Sequence, residues 1–511
     1  LEENMISNKN AVRFALALVA LVVPACGGGM PDEPGAWRPE IVFVADASKT
    51  GTDELFAADL EGTHVVTLSG TLVAGGNVTL MSWSPDGTKI AFLADKDVDE
   101  TFELYVVGAT GGAPVKVSGA LVAGGDVRGF AWSPDGSRLA YTADQDVDET
   151  VELYTSLASG AGNNKLSGAM PAGAGVDLFN WAPNGSRIAY RVFGTTVLEE
   201  LHTCLPAGGG DVTVSGPPVL PGLPIRFAWA PDGSHLAYEN YEDGFSGAEL
   251  YTVLPDGSGK VRVSGGVGVI SDSFFGSWSP DATRIAYLLH ISGSPTVLYT
   301  VKPDGTGSAP FVGAGLPVWS PDGARLAYVA DVDMDGTLDL HTALPDGTGD
   351  VIVSGPMVAG GDVGWYTGNG LSFAWSPDGS RIAYYADQTT DGQVELFTSP
   401  AAGGGNIKVS TPLPGKSLVS GVFLWSPDGS RLSYRVDGTG SDLFTAAPAV
   451  AASAVQVSGP PASGSVGLFF WSRSGARAVF VNDGELYSCL AAGGGLAHIG
   501  GPGVKFVAVL R

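Results

Sequence analysis

The chain has 511 residues, with 27 basic and 53 acidic side chains and a net charge of −26, which argues against nucleic acid or an anionic membrane surface as a partner. The balance fits cations or basic protein patches better. Its 75 glycines and 33 prolines recur at periodic turn positions, so they mark tight hairpins rather than disorder.

Met5 opens a targeting segment: Lys9 and Arg13 supply its charged region, and Phe14 to Val23 form an apolar stretch too short to span a bilayer. Val23-Pro24-Ala25-Cys26 then resembles a bacterial lipobox, with Val23 and Pro24 departing from its commonest text. The resemblance implies a signal peptide over residues 1–25, lipid on the Cys26 sulfur, and a flexible tether over residues 26–36. It places the protein in a bacterial envelope, at the outer membrane, on the periplasmic side or the surface, touching the membrane through its anchor only.

From residue 37 onward one phrase repeats. Trp-Ser-Pro-Asp-Gly, or a close variant, begins at Trp83, Trp132, Trp181, Trp229, Trp278, Trp319, Trp375, Trp425 and Trp471. The gaps are 49, 49, 48, 49, 41, 56, 50 and 46 residues, the period of a propeller with several strands per unit. In one unit a strand ends at Trp83 and Ser84-Pro85-Asp86-Gly87 turns the chain, with Pro85 presetting φ and Gly87 accepting a positive φ. Lys89 to Ala94 form a second strand, Asp95 to Glu103 an acidic loop, Leu104 to Val107 a third strand, and Val115 to Ser118 a fourth.

The second strand recurs as Ile-Ala-Tyr-like text at Ile41, Ile90, Leu139, Ile188, Leu236, Ile285, Leu326, Ile382, Leu432 and Ala478, which makes ten blades. The first has no room for an innermost strand, whereas Val504 to Leu510 reads as a strand with no blade of its own. The expected fold over 37–511 is therefore an all-β propeller of ten four-stranded antiparallel blades, one ring closed by that last strand. Two five-bladed rings are the alternative.

These repeats resemble the TolB-type, WD-like β-propeller repeat of bacterial envelope proteins. The resemblance covers residues 37–511 and is specific for fold and weak for function. No stretch reads as the α/β domain that accompanies the propeller of TolB itself, and no Gly-x-Ser-x-Gly points to a peptidase.

The loops between second and third strands carry the candidate metal chemistry. Asp331, Asp333, Asp335, Thr337 and Asp339 stand at positions 1, 3, 5, 7 and 9 of D-x-D-x-D-G-x-x-D, with Gly336 at the sharp turn. Carboxylates and a backbone carbonyl at these positions suit Ca²⁺. The loop resembles calcium loops in the hairpins of integrin-type propellers. Asp95, Asp97, Asp99, Thr101 and Glu103, and likewise Asp144, Asp146, Asp148, Thr150 and Glu152, keep the alternation but place Glu100 and Glu149 where Gly belongs. Asp387, Thr389, Asp391, Gly392 and Glu395 form a weaker copy, and Asp46 to Glu54 a poorer one.

Up-and-down topology puts these loops and the variable blade connections on one face, where recognition is expected, with Trp365 and Tyr366 as contact candidates. The six histidines show no zinc spacing, His202 and His341 read as strand residues, and Cys204 and Cys489 fall in blades too distant for a disulfide. The functional expectation is a non-enzymatic, monomeric scaffold that binds an envelope protein or small ligand. The alternative is a lyase- or glycosidase-type propeller enzyme with its site at the central channel.

Overall fold

Ten antiparallel sheets follow one another along the chain, each with four positions from inner to outer strand. The computed structural model describes residues 37–510 except 48–50, 195–198, 217–224, 243–247, 265–268, 271–276, 291–296, 312–314, 365–371, 411–421, 438–439 and 460–463. Cys26, Trp365 and Tyr366 lie outside the described residues. Blade 2 runs Val78–Trp83, Lys89–Ala94, Glu103–Gly108 and Val115–Lys116, within two residues of the sequence reading. In blade 6 the inner position is shared by two short strands, Val269–Ile270 and Ser277–Trp278, both paired with Ile285–His290.

The repeated text has a physical cause at each position. The ten second-strand residues from Ile41 to Ala478 that mark the repeat are all fully buried. The aromatic two residues further on faces an aromatic or His of the third strand across the sheet. Phe43–Phe56, Tyr141–Tyr154 and Tyr328–His341 are three of the ten stacked pairs, one per blade, with centroids 5.3, 5.5 and 5.5 Å apart. Such pairs are worth roughly 0.5–1.5 kcal/mol beyond area burial. The turn works as expected, with Gly87 at φ 68°. Its Asp is also a fastener: Asp86 accepts from the Ser84 hydroxyl at 2.6 Å and the Thr88 amide at 3.0 Å.

Each motif Trp joins blades. Trp132 Nε1 donates to the Ser82 carbonyl of the preceding inner strand (3.3 Å), and Trp181 to that of Ala131 (3.2 Å). All nine do the same. A second set of joints runs further out: Thr155, Thr203 and Thr252 hydroxyls donate to carbonyls of Pro206, Pro255 and Pro303 in the next blade at 2.8, 2.6 and 2.6 Å.

These joints fix one ring. Trp278 bonds Ala228 across the junction of blades 5 and 6 like any other pair, so two five-bladed rings are excluded. Val504–Val509 pairs antiparallel with Ile41–Ala45, from Ile41 opposite Val509 to Ala45 opposite Val504. Trp83 then reaches the Ala508 carbonyl (3.2 Å), and Ser488 donates to that of Leu60. Val479, Leu486 and Ile499 of blade 10 share a core cluster with Ile41 and Phe43 of blade 1, completing the seam.

Candidate functional site

The acidic loops and the blade connections touch, as the topology requires. In blade 3 (Val127–Trp132, Arg138–Ala143, Glu152–Leu157, Asn164–Lys165) the connection folds onto the loop through Val122 N–H to the Gln145 carbonyl, 3.0 Å. Asp144, 2% exposed, accepts the Asp126 amide at 2.6 Å on one oxygen. Its other oxygen takes Arg128 at 3.0 Å and the Glu149 amide at 3.3 Å. Asp148 lies against Gly124, where an added Cβ would stand 3.0 Å from its carboxylate oxygens. Glu152 bonds the Tyr154 hydroxyl (2.9 Å) and pairs with Lys165, which also approaches Asp146 (3.7 Å). Thr150 closes the tip through its amide to the Val147 carbonyl.

The same clasp appears in blade 2. Asp95 accepts the Asn77 and Glu100 amides, Asp97 holds Lys96 (3.1 Å) and the Tyr105 hydroxyl (3.1 Å), and Glu103 holds Tyr105 (2.8 Å) and Lys116 (2.8 Å). Burial alone would raise the Asp97 carboxyl, but the Lys96 and Tyr105 hydrogen bonds hold it below its ordinary range. Asp99 packs so closely on Gly75 that a Cβ there would meet it at 2.6 Å, and Thr101 N–H bonds the Val98 carbonyl. Glu100 and Glu149 take φ of 59° and 63°, the left-handed backbone expected at a glycine position. Blade 8 repeats the scheme: Asp387 accepts the Asp362 and Gly392 amides at 2.6 and 2.8 Å, and Glu395 pairs with Lys408.

Blade 7 departs from it. It comprises Val318–Trp319, Leu326–Ala330, Asp339–Ala343 and Val351–Ile352, and its connection is the short one. Asp331 accepts the Gly336 amide (3.2 Å) on Oδ2, while Oδ1 is shielded from water with no hydrogen-bond partner among the described residues. The fourth-strand position occupied by Lys116, Lys165 and Lys408 elsewhere holds Ile352. Among the described residues, only here do three acidic side chains converge: carboxylate oxygens of Asp331, Asp333 and Asp335 lie within 4.8 Å of one another. Asp333 and Asp335 are exposed. Gly336 has φ 86° with open space around it, and Met334, two residues earlier, takes φ 60°.

The other two residues of that loop are placed differently. Thr337 donates its amide and hydroxyl to Asp335 at 2.8 and 2.6 Å, holding that carboxyl below the usual range. Asp339 is outside the cluster: it accepts the Ser354 hydroxyl at 2.7 Å, and burial pushes its carboxyl up. Spacing alone could not separate these cases. The signal was upstream, where Val-Ala-Gly-Gly-Asn/Asp at 73–77, 122–126 and 358–362 precedes the three clasped loops and is missing before 331–339.

The remaining candidates are structural in their surroundings. His202 and His341 stack on Tyr190 and Tyr328 with centroids 5.1 and 5.5 Å apart, facing Asp211 and Asp350. Cys204 and Cys489 are buried free thiols, pushed up by burial to about 12 and about 11.

Comparison with known proteins adds the fold. No family model matches the chain, and no curated protein does. A crystal structure of a eukaryotic initiation factor superposes with a TM-score of 0.53 at 11% identity, over 92% of this chain and 98% of that one. An oligogalacturonate lyase in complex with manganese gives 0.34 at 14% identity, over 71% of this chain and 98% of the other. TolB from Acinetobacter baumannii gives 0.28 at 17%, over 48% and 58%. At 11% identity the likeness to the initiation factor is one of fold alone.

Proposed function

We propose that the chain is a non-enzymatic binding scaffold of a bacterial envelope, monomeric, lipid-anchored through Cys26, with one calcium-stabilised loop at 331–339. The observation that carries the scaffold reading is the loop face. Val98, Val147 and Met334 are 59%, 57% and 86% exposed at the loop tips, each between two aspartates. Apolar contacts ringed by carboxylates on a rigid frame suit an envelope protein with a basic, partly apolar patch. The TolB-type repeat supports the envelope setting. Capture from detergent-solubilised envelopes tests it: a partner retained by the wild type and lost from a Val98→Asp/Val147→Asp/Met334→Asp variant is the expected result. Turnover in an oligosaccharide or peptide screen, abolished by chelation, would replace it with the propeller-enzyme reading. For the anchor, Cys26→Ser should release the protein from membranes, and retention would count against it.

The fit to calcium rests on the buried unpartnered oxygen of Asp331, the convergence of three carboxylates, and the absence of a Lys at the fourth-strand position. Asp331, Asp333 and Asp335 would hold the ion, with the Thr337 carbonyl as a further oxygen. Affinity in the range of roughly 10⁻⁴–10⁻³ M is expected for an extracellular module. Calorimetry on the wild type and on Asp333→Ala/Asp335→Ala tests this, and equal heats would end the assignment.

A further inference from the structure

The turn face is not alike all round the ring. In blades 5, 6 and 7 the turns between third and fourth strands carry the exposed Asp256, Asp304 and Asp346. In blades 9 and 10 they carry no acid: residues 443–472 hold no charged side chain, and residues 486–504 hold no Asp, Glu, Lys or Arg. Exposed apolar side chains stand there instead, Val450 and Val455 on blade 9 and Leu490 and Leu496 on blade 10. Three of them adjoin across the two blades. An added Cβ would stand 2.9 Å from Val455 at Gly493, 2.9 Å from Leu490 at Gly495, and 3.6 Å from Leu496 at Gly459. Blade 10 also replaces Pro-Asp of the repeated turn with Arg473-Ser474, and Arg473 is exposed. The bordering acids are engaged: Asp428 accepts the Ser426 hydroxyl at 2.6 Å, and Glu61 faces Arg477 at 3.8 Å.

The chain enters the ring beside this arc. The Trp37 ring lies against that of His64, centroids 6.1 Å apart. His64 closes the turn between Glu54–Ala58 and Val65–Thr67, so the entry is on the turn face. That turn rests on blade 10, where a Cβ at Gly62 would collide with the His498 carbonyl, two residues from Leu496. Cys26 precedes Trp37 by eleven residues. A stretch of that length reaches at most about 40 Å when fully extended.

We propose that the turn face of blades 9 and 10 lies on the membrane to which Cys26 ties the chain. Val450, Val455, Leu490 and Leu496 enter the headgroup layer of a zwitterionic bilayer, and Arg473 meets its phosphates. The inference rests on the Cys26 anchor and adds a protein surface to an anchor-only contact. At a net charge of −26 an anionic surface or a second copy is repelled, and the uncharged arc is the part that a neutral bilayer admits. The acidic loops, on the opposite face, stay free for a partner.

Hydrogen exchange tests this on the full chain, purified from envelopes and incorporated in phosphatidylcholine vesicles. Flotation with the vesicles reads the anchor. A chain that does not float refutes the anchor, and its Cys26 thiol is then coupled to a maleimide lipid, Cys204 and Cys489 being buried, so that the surface is read all the same. Exchange over 447–456 and 490–499 should slow at least about threefold on vesicles, with 95–103 unchanged. Leu490→Asp/Leu496→Asp and, separately, Val450→Asp/Val455→Asp should abolish the slowing with the melting temperature unchanged, since these side chains are exposed. Equal exchange on and off vesicles, or slowing that survives both variants, would overturn the surface and leave the anchor standing. Slowing that appears without vesicles as protein concentration rises would give the arc to a second copy and overturn it too.

Discussion

In blade 3, Asp144 receives two backbone amides and an arginine, Asp148 fits over a glycine, and Glu152 pairs with a lysine. In blade 7, Asp331 keeps a buried oxygen without a partner among the described residues, and Ile352 stands where the lysine would be. The two loops share an alternation of acids and differ in what surrounds them. A long connection with two glycines can fold back and supply donors, and a short one cannot. The same carboxylates are then a structural clasp in one blade and a converging, largely exposed cluster in the other.

The largest test of this contrast is stability. Asp144→Ala leaves two backbone amides and the half-exposed Arg128 unanswered and should cost about 1–3 kcal/mol, as for lost buried hydrogen bonds. Asp331→Ala, at a half-exposed position with one weak bond, should cost under about 1 kcal/mol without calcium. Denaturant midpoints measure both, and similar losses would dissolve the distinction. Next comes calcium itself. At about 10 mM ion and a dissociation constant near 1 mM, the wild type should gain about 1.4 kcal/mol. Asp97→Ala/Asp146→Ala should keep that gain and Asp333→Ala/Asp335→Ala should lose it; the reverse pattern would move the ion to the clasped loops.

Smaller effects sharpen the picture. Glu149→Gly relieves a left-handed glutamate and should stabilise by about 1 kcal/mol, whereas Gly336→Ala should lose a similar amount. Thermal melts of the pair read the difference directly. Ile352→Lys supplies the missing cation: about 0.2–1 kcal/mol of stability without calcium, and a blunted response to the ion, are expected. Asp339 has its folded carboxyl raised, so its favourable contribution is present at low pH and fades as pH rises through the folded value. Asp339→Asn should therefore be slightly more stable than wild type at neutral pH, with calcium heats unchanged because Asp339 is outside the cluster. A drop in those heats would return it to the ligand set.

The blade plan was legible because each unit must bury the same strand. Ile90-Ala91-Phe92 and its nine relatives recur for packing, and the spare strand at Val504 answered the incomplete blade at Ile41. The role of the tryptophans was not legible. Their partners are backbone carbonyls such as those of Ser82 and Ala131, and any residue offers a carbonyl. The candidate site was half legible: residue types and spacing located five acidic loops, but whether an acid is engaged depends on connections and on fourth strands only two residues long, such as Val115–Lys116.

The seam of the ring also sets a timetable for synthesis. The joint between Trp83 and Ala508 spans 425 residues. At roughly 5–20 residues per second on the ribosome, that interval lasts on the order of 20 to 85 s. Through it Ile41–Ala45, an unbroken apolar strand, has its inner edge unpaired. Exposed apolar edges recruit other chains. A protein built this way depends on being shielded while it is made, and a cell short of holding chaperones should accumulate it as aggregates long before its finished ring becomes unstable.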